Sequence, residues 1–149
     1  MKGFPDLPPV WLAGCAALVW LLGFVSPVFE TSALRTLGAI GFLAGVAFIL
    51  WAASMFLRHR TPIEPHHTPN ALISTGPFAI TRNPIYVAMA LMLAGWALWS
   101  GVVLGLVLVP LFRWIITRRF ILDEEARLRA AFGPDADAYI ANTRRWILR

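Results

Sequence analysis

Two short stretches carry side chains able to do chemistry. The first is Leu72-Ile73-Ser74-Thr75-Gly76-Pro77-Phe78-Ala79-Ile80-Thr81-Arg82-Asn83-Pro84-Ile85-Tyr86; the second is Glu124-Glu125-Ala126-Arg127-Leu128, followed by Phe132-Gly133 and Tyr139. An acidic pair can accept hydrogen bonds from ammonium or hydroxyl groups. A helix opening at Asn83-Pro84 can turn its exposed amides toward an anion. Each feature also has a plain structural reading. Asn83 can cap the helix that Pro84 begins, Thr75-Gly76-Pro77 is a good turn, and Glu124-Glu125 can be a solvated face. Their predicted placement on one side of a membrane sets them apart from that reading.

The elements that would place them there are apolar spans. Val10 to Val28 and Leu37 to Leu57 carry no charged side chain, and each is close to the roughly 20 residues a hydrocarbon core requires. Gly38, Gly41 and Gly45 recur on one face of the second span. They permit close helix approach and leave homodimerisation open, although ordinary glycine content of membrane helices is the simpler explanation. Pro84 to Phe112 is also uncharged. It is too long for one crossing, so a tight helical hairpin is expected, about 83–99 and 101–117, turning at Trp99-Ser100-Gly101. Trp96 and Trp99 would lie at the interface, and Pro110 would kink the second arm. Amphipathic helices are expected at Phe120–Phe132, stopped by Gly133-Pro134, and at Asp135–Trp146. Tyr139, Ile140 and Trp146 of the latter would lie on the membrane surface, with Arg144, Arg145 and Arg149 suited to anionic headgroups.

The expected fold class is therefore all-α: a polytopic integral membrane protein with about four transmembrane helices and C-terminal amphipathic helices. It would form one domain over residues 1–149, with two membrane helices in 1–57 and the chemistry in 58–149. Composition agrees: 149 residues are 58% hydrophobic and 14% charged, with mean hydropathy +0.68. Average soluble chains are about 25% charged. The net charge of +5 is unevenly spread. Of 13 Lys and Arg, only Lys2 and Arg35 precede residue 58. That is the asymmetry of a positive-inside membrane protein with both termini and the candidate site in the cytoplasm. Nucleic-acid binding is not expected.

Two other leads carry little. His59, His66 and His67 fall in a proline-rich loop with no cysteine or carboxylate pair to complete a ligand set, so no metal is expected. Leu12-Ala13-Gly14-Cys15 matches a lipoprotein cleavage box, but Pro5, Asp6, Pro8 and Pro9 precede it where an apolar run is needed.

The pattern Leu72, Gly76-Pro77-Phe78, Arg82-Asn83-Pro84-Ile85-Tyr86, Glu124-Glu125-x-x-Leu128 and Phe132-Gly133 resembles the isoprenylcysteine carboxyl methyltransferase family and the related phospholipid N-methyltransferases. The resemblance covers about residues 58–147. It implies a membrane enzyme using S-adenosylmethionine to methylate a lipophilic, membrane-associated or small acceptor at a carboxylate, amine or thiol. It implies a cofactor site of Asn70, Ala71, Leu72, Ile73, Phe78, Asn83, Pro84, Ile85, Tyr86, Glu124 and Glu125, with Tyr86, Asn83 and Glu124 nearest the chemistry. Glu124 or Glu125 would meet the cofactor's ammonium or ribose, the α-helix start its carboxylate, and Tyr86 and Phe78 its cation. The carboxyl methyltransferases usually have histidine at the positions of Asn70 and Asn83; asparagine before the proline is closer to the phospholipid enzymes. The family's substrate-contacting arginine falls on Phe120, leaving Arg118 and Arg119 as the nearest substitutes for substrate binding. Two other classes compete. A four-helix transporter would normally place an ionisable group inside the bilayer, and none lies within the apolar cores. A membrane reductase of similar architecture would bind a nicotinamide cofactor.

Overall fold

The computed structural model describes residues 6–60 and 71–147. Among them there are helices and connecting turns and no strand. The α-helices are α1 Pro8–Leu22, α2 Ser32–Arg58, α3 Pro77–Ile80, α4 Pro84–Trp99, α5 Leu108–Ile116, α6 Leu122–Phe132 and α7 Pro134–Asn142. A 3-10 turn at Val103–Val107 leads into α5, and a π-helical turn at Thr117–Ile121 joins α5 to α6.

Local chemistry sets most of the helix ends. Ser26 stops α1 early, its N–H and Oγ both bonding to Leu22 O at 2.9 and 2.8 Å, and Pro27 follows. The first span thus ends at Leu22, short of Val28. The second starts sooner than expected because the Thr31 hydroxyl accepts from Leu34 N at 3.2 Å and caps α2. Ser100 caps the end of α4 through Trp96 O, and Gly101, at φ 74°, makes the expected turn. Its carbonyl accepts from Phe29 N, tying the hairpin to the α1–α2 connection. Pro110 does not kink a continuous α-helix. It falls in the first turn of α5, where an N–H has no intrahelical partner, and the 3-10 turn precedes it.

The glycine face of α2 is in use, against the simpler explanation. A Cβ on Gly95 of α4 would come within 2.6 Å of Phe42 N and 2.7 Å of Gly38 O; one on Gly45 would come within 2.8 Å of Ala88 O. Numbers rise along α2 as they fall along α4, so the helices run antiparallel in backbone contact. The Gly38–Gly45 face is occupied within the chain. α1 and α5 close over the other side of α4, burying Cys15, Val19, Leu93, Phe112 and Ile116.

Only α2, among the described helices, is both long and apolar enough to cross a membrane. Its most apolar window is 17% buried, unlike the core helix of a soluble protein. α1 and α4, at 15 and 16 residues, are apolar but shorter. Trp20, Leu37, Leu43, Leu50, Val107 and Trp114 lie exposed around the bundle, a surface suited to lipid contact.

Candidate functional site

The antiparallel pairing brings residues 71–86 to the end of the bundle where α2 finishes. Ile73 and Phe78 are buried there against Ala52 and Met55, and Phe78 meets Phe56 edge to face at 5.4 Å. Ala71 and Leu72 are half-buried nearby in the chain. Asn70 lies outside the described residues, as do His66 and His67. His59 donates from Nδ1 to Met55 O at the end of α2.

The long helical run α5–π–α6 returns to this end, and there the two motifs meet. The Tyr86 hydroxyl donates to Glu124 Oε1 across 38 positions of sequence. Tyr86 is buried and packs near Phe120, while Glu124 is half-buried. Burial pushes the Glu124 carboxyl up to about 7, partly offset by the Tyr86 hydrogen bond. The group is therefore poised near neutrality.

Glu125 is held differently. It is 6% exposed and receives Arg145 Nε and Nη2 at 2.8 and 2.7 Å, a bidentate pair. Arg82 Nη1 lies 3.1 Å from the same carboxylate. Burial alone would push the Glu125 carboxyl up, but Arg145 and Arg82 outweigh burial and hold it below the usual carboxylate range. Its atoms face two guanidinium groups of the chain itself, so Glu125 braces the site and Glu124 faces its interior.

The start of α4 also departs from expectation. Asn83 precedes Pro84 as the spacing predicts, yet its side chain does not cap the helix. Asn83 Nδ2 donates instead to Arg145 O at 3.1 Å, and Thr81 Oγ1 donates to the same carbonyl at 2.9 Å. Arg82 N donates to Arg144 O at 2.8 Å. This strap explains why α7 ends at Asn142, before Trp146: the chain turns extended at Thr143, and the carbonyls of Arg144 and Arg145 bond with 81–83. Tyr139 is not on a membrane surface. It is buried, and its hydroxyl donates to Phe78 O at 2.8 Å. With Asn83 turned away, the N–H groups of Ile85 and Tyr86 have no intrahelical partner and no side-chain cap.

Arg118 and Arg119 do not join Tyr86 and Glu124. Arg119 bonds Asp6 at 3.1 Å and lies over the Trp11 ring. Arg118 is exposed and lines a cleft on the outer side of α5. Phe120, between them and the acidic pair, is 1% exposed in the core. The π turn produces this phasing, because its wider pitch shifts every later residue around the axis. Sequence periodicity carries no signal for that turn. The Arg145 and Tyr139 contacts were equally unforeseen, although arginines beside an acidic pair could have prompted them.

S-adenosylmethionine is tested by its own chemistry against these groups. It bears an ammonium, a sulfonium, a carboxylate and ribose hydroxyls. The site offers a half-buried carboxylate, an aromatic hydroxyl and two unfilled helix N–H groups. Arg82 Nε is buried without a hydrogen-bond acceptor among the described residues, while Nη1 is held in the ion pair with Glu125. Acceptors for cations and donors for an anion are thus both present, and the residues fit. No curated protein and no solved structure matches the chain. The family model for phospholipid methyltransferase matches residues 14–135, which include both motifs, and the chain belongs to that family.

Proposed function

We propose that this chain is a multi-pass membrane methyltransferase that uses S-adenosylmethionine and acts on a lipophilic acceptor. The Tyr86–Glu124 hydrogen bond carries the reading, because it joins the two motifs into one half-buried site. The bilayer is crossed by α1, α2, α4 and the 3-10–α5 arm, with the site and both termini in the cytoplasm, where the arginines cluster. S-adenosylmethionine supplies an activated methyl group when bound. The residues supply position. Glu124 takes hydrogen bonds from the cofactor's ammonium or ribose, and Tyr86 fixes the orientation of that carboxylate. The amides of Ile85 and Tyr86 face the cofactor carboxylate. Displacement at a methyl group needs a nucleophile held in line at about 3–3.5 Å, so positioning supplies much of the rate. Ile73 and Phe78 belong to the neighbouring apolar cluster that packs against Ile85 at the start of α4, and Ala71 and Leu72 precede them in the chain. An apolar acceptor enters sideways between lipid-facing helices.

Calorimetry on detergent-solubilised protein with S-adenosylmethionine against NADPH separates this reading from a reductase. Binding of S-adenosylmethionine is expected, weakened tenfold or more by Glu124→Ala and by Tyr86→Ala. Unchanged affinity in both folded variants removes the assigned site. Transfer of labelled methyl into a membrane lipid extract identifies the acceptor.

A further inference from the structure

A second polar feature lies on the opposite face of α5 from the Tyr86–Glu124 pair. Pro110, Arg113, Trp114, Arg118, Arg145 and Trp146 line an open cleft of about 310 Å³. Arg113 lies over the Trp146 ring, 5.0 Å from its centroid, and Trp146 Nε1 donates to Thr117 Oγ1 at 3.2 Å. Arg113 and the Trp146 ring thus pack together on the wall of a cleft that Arg118 and Arg145 also line. Among the described residues Arg118 makes no ion pair, and it is exposed.

The surface leading to the cleft decides the ligand class. Leu104, Val107, Leu111 and Trp114 are exposed at spacings of three and four, a continuous apolar stripe along one helix face. Arg118 is the next position of that stripe. A ligand fitting the whole surface has an apolar chain along Leu104–Trp114 and an anionic group at the arginines. Trp114 and Trp146 sit where the two halves meet, as interfacial aromatics do. A soluble anion would leave the stripe unused.

We propose that this cleft binds the phosphate of an anionic glycerophospholipid from the surrounding leaflet. The lipid is separate from the methyl acceptor, because the buried Phe120 side of the helix faces Tyr86 and the cleft faces outward. Arg145 links the two, lining the cleft while its Nε and Nη2 hold Glu125. The proposal rests on the membrane placement given above, but not on methyl transfer.

The test uses the full chain, delipidated in neutral detergent and titrated with dioleoylphosphatidylglycerol in mixed micelles, with bound lipid counted by native mass spectrometry. Saturable binding of phosphatidylglycerol is expected in preference to dioleoylphosphatidylcholine, and inorganic phosphate should not displace it. Arg113→Gln and Arg118→Gln are each expected to weaken it about fivefold. Arg129→Gln, which removes the same charge beside Asp137, should leave it unchanged. Equal weakening by Arg129→Gln would reduce the effect to net charge and overturn the site. Phosphatidylcholine binding as tightly, or displacement by phosphate, would overturn the lipid assignment. Arg118 is exposed, so Arg118→Gln keeps the test decisive if Arg113→Gln does not fold. Titrating the unaltered protein with S-adenosylmethionine in the same preparation reports separately on the methyltransferase reading.

Discussion

Removing the Glu125 carboxylate should unfasten one end of the molecule. Glu125→Ala leaves Arg82, 11% exposed, with a buried charge and no anion beside it, and takes both hydrogen bonds from Arg145. Breaking a buried ion pair from one side typically costs about 3–5 kcal/mol. Arg145 is 33% exposed, so water recovers part of its loss, and about 3 kcal/mol is the appropriate figure. For a chain of this length that corresponds to roughly 6–12 °C in apparent melting temperature. Thermal unfolding in detergent measures it, and limited proteolysis between 142 and 147 shows whether the strap has opened. The double replacement Arg82→Met with Glu125→Met removes both charges and should recover much of the loss, since apolar replacement of a whole buried pair is often neutral. Acid should mimic the single variant. With its folded value below the ordinary 4.5, Glu125 stabilises the fold above that pH, and the contribution disappears as pH falls through the lower folded value. An unchanged melting temperature in Glu125→Ala, or a double variant losing the sum of the singles, refutes the brace.

Gly95→Ala should cost about 1–3 kcal/mol or more, because its Cβ meets backbone atoms that cannot move independently. Gly41→Ala, whose Cβ would lie 3.7 Å from its nearest neighbour, should stay within about 1 kcal/mol; melting curves of the two variants decide it. Glu124 titrates oppositely to Glu125. Its folded value is raised to about 7 from 4.5, so its contribution is complete below 4.5 and is lost as pH rises through about 7. Glu124→Gln should therefore flatten the fall in melting temperature between pH 5 and pH 8.

The apolar helix α2 was legible because an uncharged run of crossing length follows directly from the bilayer's thickness. The turn at Trp99–Gly101 and the stop at Gly133, at φ 53°, were legible because glycine there answers a local backbone need. The meeting of Tyr86 and Glu124 followed from resemblance and hairpin topology together. What stayed hidden depends on partners distant in sequence. Asn83 looks like a cap, yet a carbonyl 62 positions away takes its amide. Glu124 and Glu125 are adjacent and chemically alike, but only the rotation imposed by the helical run sends one inward and the other to Arg145. The π turn has no compositional mark, so Arg118 and Arg119 could not be assigned faces from their spacing.

The strap between 81–83 and 144–145 has a consequence for biosynthesis. Residues 144–145 leave the ribosome after every apolar helix has been made. A nascent chain can form its apolar helices while the Asn83 and Glu125 ends of the site still lack their clasp. The site is thereby left unclasped until translation has passed Arg145, and a chain stalled earlier would keep an open, unfastened end.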